Sequence, residues 1–179
     1  MDTSAIIQTA RLVLVRLTDT SEGSQHVQWF HENWSDDAAT AWSKATKEDL
    51  GEHVGSVSLR RQEGGPTLPP PNLDIDDVSK SVNLRVIGYA FFKQHWGKGY
   101  ATEAGRALVD AYTRSVAEEM AKGKELFYLE AGVDEGNPGS ENVLQKIGFQ
   151  KVGWKEETES VFLAGEWREP GYWIYGKYL

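Results

Sequence analysis

The 179-residue sequence contains no cysteine. Disulfide staples, thiolate nucleophiles, Cys-ligated metal and any Cys acyl-enzyme are therefore excluded. Basic residues are also scarce. Lys and Arg total 19 against 27 Asp and Glu, a formal charge of -8. That balance argues against a nucleic-acid partner, because neutralising phosphates takes clustered cations. No apolar run approaches the roughly 18 residues of a membrane span. The opening MDTSAIIQTARLVLVRL has an acid at position 2 and no basic n-region. The expectation is a cytoplasmic protein with no signal peptide and no membrane partner. His26 and His31 lie five apart, but position 35 is Ser rather than the second His of H-E-x-x-H, so no metal is expected.

Aromatic residues, by contrast, are plentiful, with seven Trp, seven Tyr and six Phe. With 40% apolar and 26% charged residues, the composition is that of a globular chain. The length suits a single domain over residues 1–179.

Alternation of apolar and polar residues predicts strands over residues 11–17 and 53–61, and the long β-type run over 83–92 predicts a third. A helix is predicted over 24–34, with Ser24 as N-cap and Val27, Phe30 and Trp34 on one face. Residues 64–81 hold most of the prolines and read as an exposed loop. A long helix follows over 101–121, with Ala104, Leu108, Ala111, Tyr112 and Ser115 on its apolar face and Gly123 as its stop. A strand over 125–133, a short helix in NPGSENVLQKIGF closed by Gly148, and strands over 150–154 and 171–178 complete the order. This is a mixed α/β sheet with helices on both sides.

The stretch FFKQHWGKGYATEAG, residues 91–105, joins the third strand to the long helix. It lacks the G-K-[ST] of a P-loop, and Thr102 stands where a dinucleotide fingerprint needs its third small residue. What it supplies is Q-x-x-G-x-G, as Gln94, Gly97 and Gly99. Two glycines let successive backbone N–H groups turn inward, and the helix start adds its own unpaired N–H groups and positive dipole end. Such a turn is a pyrophosphate seat; the competing reading is an ordinary strand-to-helix turn.

WGKGYATEA, followed about forty residues later by NPGSENVLQKIGF, resembles the GNAT superfamily of acyl-CoA-dependent N-acyltransferases, and most closely its branch of ribosomal-protein N-acetyltransferases and small-amine acetylators. The resemblance covers residues 83–154 well and 11–42 more loosely. It implies a GNAT-type α/β fold: a mixed, mostly antiparallel central sheet with helices on both faces and a splayed strand pair. Acetyl-CoA is the implied co-substrate, without metal. Its pyrophosphate is expected on the backbone of His95, Trp96, Gly97, Lys98, Gly99, Tyr100, Ala101 and Thr102, and its pantetheine arm beside Phe91 and Phe92. Asn137 and Ser140 match the second motif, where the family holds the pantetheine and the sulfur. Lys146 meets a coenzyme phosphate or is a solvated lysine. Trp96 and Tyr100 flank the coenzyme or anchor the loop, and Glu103 reads as a helix-start charge rather than a catalyst.

For the chemistry, the resemblance implies direct acetyl transfer to a primary amine. Ser140 is expected to protonate the leaving thiolate and Asn137 to stand beside it. The branch's E-I-G-Y is Val86-Ile87-Gly88-Tyr89 here, so its strand carboxylate is missing. GWKEETES offers Glu156, Glu157 and Glu159 instead, and the spacing from Ser140 favours Glu159 as the base; Glu130 and Asp134 are further options. Only twelve residues separate Trp42 from Gly55, where the family has another helix and strand, which puts acceptor recognition in question. Trp29, Phe30, Trp34 and Trp42, with Trp167 and Tyr172 of the last hairpin, either line an acceptor pocket or fill the core. The acceptor is expected to be a small molecule or a protein N-terminus, and the protein a monomer or homodimer. The alternative is a catalytically silent acyl-CoA-binding module.

Overall fold

The computed structural model describes residues 6–19, 21–28, 53–72, 80–163 and 165–179. His31, Trp29, Phe30, Trp34, Trp42 and residues 43–52 lie outside the described residues, so the expectations placed on them do too. Strands β3 (Gly55–Arg61), β4 (Ser81–Phe91), β5 (Glu125–Val133), β6 (Gln150–Glu156) and β9 (Gly171–Tyr178) form a sheet in the order β3-β4-β5-β9-β6. The β4–β5 pair is parallel, and β9 runs antiparallel to both β5 and β6. Bonds from Phe92 N to Val54 O and from Gln62 N to Leu84 O give β3 and β4 an antiparallel register as well. The sheet is thus mixed and mostly antiparallel, as expected. The β4–β5 ladder runs from Ser81↔Glu125 to Val86↔Glu130 and ends there, although both strands continue. The chain divides into two compact units, Met1–Leu59 with Gly88–Tyr112 and Arg60–Ile87 with Thr113–Leu179.

In the first unit, β1 (Ile6–Gln8) and β2 (Val13–Val15) pair antiparallel. The strand predicted over residues 11–17 is therefore shorter, and β1 was not foreseen. The cause is local. Thr9 N donates to Leu12 O at 2.9 Å and Leu12 N to Thr9 Oγ1 at 2.9 Å, which folds residues 9–12 into a turn. Ser24 caps its helix as expected, with Val27 N donating to Ser24 Oγ at 3.2 Å. After β4 a single 3-10 turn, Lys93–His95, leads to helix α1 (Tyr100–Ser115). Ala104, Gly105 and Val109 are the buried residues of α1, so the buried stripe is rotated from the predicted one, and Ser115 is exposed. Gly105 carries no apolar signal in the sequence, yet it is buried. The predicted helix over 101–121 also breaks. Val116, at φ -110 and ψ 6, leaves helical geometry and precedes a short second helix, α2 (Ala117–Ala121).

The second unit is built on β5, whose Phe127, Leu129, Ala131 and Val133 are buried together with Ile174 and Tyr175 of β9. Helix α3 (Pro138–Lys146) has signals at both ends that the sequence carries. At its C-terminus Phe149 N bonds Leu144 O and Gly148 N bonds Gln145 O, each at 3.0 Å, with Gly148 at φ 90. These are the two bonds of a Schellman motif. Lys177 Nζ donates to the Ile147 carbonyl at 2.8 Å, placing a cation on the negative end of the helix. Leu144 is fully buried, worth about 2 kcal/mol of apolar transfer. A small separate hairpin, β7 (Val161–Leu163) with β8 (Glu166–Arg168), precedes β9.

Candidate functional site

The turn after β4 is shaped by its own backbone. His95 N donates to Phe92 O at 2.8 Å and Trp96 N to Lys93 O at 3.1 Å, so these two amides are spent inside the 3-10 turn. The chain then passes through Gly97 at φ 72 and Gly99 at φ 81, a region that L side chains rarely adopt. Glu103 N returns to Gly99 O at 3.0 Å and starts the helix ladder. Between these bonds, the N–H groups of Gly97, Lys98, Gly99, Tyr100, Ala101 and Thr102 have no backbone acceptor among the described residues. Six donors on a curled segment ending at the positive pole of a 16-residue helix fit an anionic phosphate group. The expected run from His95 to Thr102 is thereby narrowed at its start. His95 is a buried side chain beside the Tyr100 ring, 6.1 Å between centroids.

Phe91 and Phe92 each have a backbone group already engaged within the protein. The Phe91 carbonyl accepts the Trp96 indole N–H at 2.7 Å, leaving that carbonyl one lone pair, and Phe92 N donates to Val54 O at 3.2 Å. Trp96 is nonetheless 58% exposed, so its ring is anchored at one edge and open on its face.

The β1–β2 turn holds this segment in a way that sequence reasoning missed. Arg11 donates to the Glu103 carboxylate through its backbone N at 2.8 Å and Nε at 2.7 Å, with Nη2 at 2.6 Å from Oε2. Its Nη1 donates to the Lys98 carbonyl at 2.9 Å, and its guanidinium lies over the Tyr100 ring, 4.9 Å from the centroid. Thr9 Oγ1 donates to Glu103 Oε1 at 2.6 Å. The Thr9 bond first, with the Arg11 bonds and charge against some desolvation, holds the Glu103 carboxyl below its ordinary value. The signal in the sequence was the polar pair Thr9 and Arg11 ahead of a strand, but no local spacing rule ties it to a helix 92 residues on.

In the second unit, Asn137 is the N-cap of α3. Its side-chain oxygen accepts from Ser140 N at 3.0 Å, Pro138 follows in the first turn, and Asn137 N donates to Asp134 O. The Asn and Ser of the second motif therefore have a structural reason for their spacing. Asp134 accepts from Gly136 N at 2.8 Å and faces Arg168 at 3.6 Å, so it belongs to the turn into α3. Lys146 is exposed in the last turn of that helix.

The carboxylates differ in surroundings. Val86 pairs in register with Glu130, so the strand position without an acid has one directly across the ladder. Glu130 is 2% exposed, and both its oxygens accept from Thr67, at 2.9 and 3.1 Å from N and 2.9 Å from Oγ1. Three bonds to the proline-rich loop make it a packing carboxylate. Burial foremost, and then the Glu130 charge, pushes the neighbouring Tyr128 hydroxyl well above its usual range. Glu159 is exposed on the turn after β6. Glu156, Glu157, Glu135 and Glu169 line an open hollow of about 430 Å³ with Trp154 and Trp173. Trp167 is 72% exposed, edge-on to Phe162 at 5.6 Å, whereas the Tyr172 ring packs on Gly132. Among the described residues no group of three or more acids and histidines is arranged to hold a metal, and no helix is long and apolar enough to cross a membrane.

The family model described as the acetyltransferase (GNAT) domain matches residues 5–150. The uncharacterised N-acetyltransferase p20 of Bacillus licheniformis is 36% identical over 140 residues, 70% of this chain and 74% of p20. The uncharacterised protein YkkB of Bacillus subtilis (strain 168) is 29% identical over 134 residues, 74% of this chain; the chain spans 63% of YkkB's length, under two thirds. A solved structure from Vibrio cholerae, provisionally assigned as a ribosomal-protein-serine acetyltransferase, superposes with a TM-score of 0.55 at 17% identity over 100% of both chains.

Proposed function

Because the chain belongs to the GNAT acetyltransferase family, we propose that it moves the acetyl group of acetyl-CoA directly to a primary amine, on a small molecule or a protein N-terminus. The observation that carries this reading is the run of N–H groups from Gly97 to Thr102, at the start of α1, that have no backbone acceptor among the described residues. Both units then serve one acetyltransferase domain over residues 1–179.

When bound, acetyl-CoA supplies the thioester carbonyl and the thiolate leaving group. The residues of this chain do the rest. Gly97–Thr102 bind the pyrophosphate through backbone N–H groups, and Trp96 offers an exposed aromatic face beside them. The amine nitrogen forms a bond to the thioester carbon as the carbon–sulfur bond breaks. An ammonium with a pKa near 10.4 is only about one part in 10³ neutral at pH 7, so a group must accept its proton. Glu159, exposed on the turn after β6, takes that role; the Glu130 oxygens are occupied by Thr67. Ser140 relays to the departing thiolate the second proton that the nitrogen sheds as the amide forms, so its hydroxyl is restored, and Asn137 holds Ser140 in place through the cap. The carboxylate-lined hollow around Trp154 and Trp173 supports an acceptor that arrives as a cation.

Release of CoA thiol from acetyl-CoA, followed with a thiol reagent over a panel of amines and N-terminal peptides, tests this directly; the cysteine-free chain contributes no background. Turnover is expected, with Ser140→Ala and Glu159→Gln each lowering kcat by about 10²-fold while coenzyme affinity holds. A second reading is favoured by Val86, which leaves the usual strand acid missing: an acyl-CoA-binding module without catalysis. Tight acetyl-CoA binding with no turnover on any amine would establish it instead.

A further inference from the structure

We propose that the β1–β2 turn is a clamp that presets the phosphate-binding turn, with Arg11 and Thr9 acting as positioning residues for the coenzyme pyrophosphate through Glu103 and the Lys98 carbonyl. The inference rests on the acetyl-CoA reading above and names a device that serves it.

Two effects follow from the geometry. Lys98 is the residue between the two glycines, and its carbonyl points at Arg11 Nη1, 2.9 Å away. In a trans peptide the carbonyl and the following N–H point to opposite sides. Fixing Lys98 O on Arg11 therefore aims the Gly99 N–H, a donor with no backbone acceptor among the described residues, away from Arg11. Glycines at positive φ have many alternatives in the free chain, and the guanidinium selects one.

The second effect is electrostatic. Glu103 places a carboxylate in the first turn of α1, where it would repel a phosphate drawn to the same helix end. Arg11 and Thr9 saturate it with four short contacts, 2.6 to 2.8 Å. Its charge is matched by the guanidinium fork, which itself sits over Tyr100. A surface ion pair ordinarily contributes little, but this one controls both the aim of a donor and the charge beside an anion site.

The test compares acetyl-CoA with S-acetylpantetheine, which lacks the pyrophosphate. Arg11→Ala is expected to raise the KM for acetyl-CoA about tenfold with kcat little changed, and to leave kcat/KM for S-acetylpantetheine within about twofold. Arg11→Ala combined with Glu103→Gln is expected to recover about threefold of that loss, because the uncompensated charge is removed. Arg11→Lys, which keeps the charge and loses the fork, is expected to fall between wild type and Arg11→Ala. Equal losses on both donors, with no recovery in the double variant, would make the clamp mere fold support and overturn the proposal. So would an unchanged KM. Calorimetric titration of the wild type with acetyl-CoA separates the two levels: absent binding overturns the coenzyme reading and the clamp together, whereas normal wild-type binding with unaltered Arg11→Ala overturns the clamp alone.

Discussion

Gly97 and Gly176 are the same residue kept for opposite reasons, and the regions that hold them differ in the same way. Gly97 sits at φ 72 with nothing within 4 Å of where a Cβ would be; its constraint is conformational. Gly176 lies in β9 in register with Glu130, and a Cβ there would fall 1.7 Å from the Tyr128 hydroxyl; its constraint is space. The glycine turn is made of backbone donors that meet no backbone acceptor among the described residues. The β5–β9–β6 region is made of side chains already in contact with one another. A change in the turn should therefore register in binding, and a change in the sheet in stability.

The largest expected effect is Gly176→Ala, which forces the fully buried Tyr128 ring to move. We expect a loss of about 3 kcal/mol by urea unfolding, at the upper end for overpacking. A loss under about 1 kcal/mol would break the contrast, since it would mean that the sheet yields as easily as the turn.

Glu130→Ala comes next. It strips the Thr67 N–H and hydroxyl of their acceptor and opens a void, for an expected loss of about 2 kcal/mol. Thr67→Val removes only the hydroxyl and is expected to cost about 1 kcal/mol. If Glu130→Ala left stability unchanged and abolished turnover, Glu130 would be the base and the packing assignment wrong.

Gly97→Ala sharpens the other side. Its strain of about 1 kcal/mol is expected to relax through the turn, showing as roughly tenfold weaker acetyl-CoA binding with a small change in Tm. A large drop in Tm at unchanged affinity would reverse the roles of the two regions.

The smallest effect is on pH. The Tyr128 hydroxyl is buried without a hydrogen-bond partner among the described residues, and its proton is held more tightly than in the unfolded chain. Its share of stability is complete below the ordinary phenol pKa of about 10 and is lost as pH rises beyond it, because the unfolded chain releases the proton first. Ultraviolet titration should show Tyr128 ionising only with unfolding, with Tyr175, also raised by burial, ionising later than an ordinary tyrosine. Glu103 has the opposite sign: its share is present above the ordinary carboxylate range and fades as pH falls through its lowered folded value.

Much of this was legible in the sequence because its signals are local. The apolar run ELFYLEAGV predicted β5 with its observed bounds, and Gly148 closed the short helix read in NPGSENVLQKIGF. Gly97 and Gly99 marked the turn because only glycine is at ease at their φ. The break at Val116 was not legible, since a β-branched residue is tolerated in helices and nothing nearby forbids continuation. The buried stripe of α1 was misjudged because a glycine such as Gly105 adds nothing to an apolar pattern, although the fold buries it. Asn137 was assigned to the coenzyme by motif alone, and its capping bond shows a second reason for the same residue.

The sequence by itself determined most of the strands and helices, the absence of cysteine chemistry, and a glycine turn at a helix start, because propensity, capping and side-chain inventory act within a few residues. Only the tertiary structure decided that Arg11 and Thr9 neutralise Glu103, that Glu130 stands across from Val86 and is bound by Thr67, and that Gly176 is needed for room. Those facts depend on pairings between residues tens of positions apart, which are set by register and packing and leave no mark in any short window of the chain.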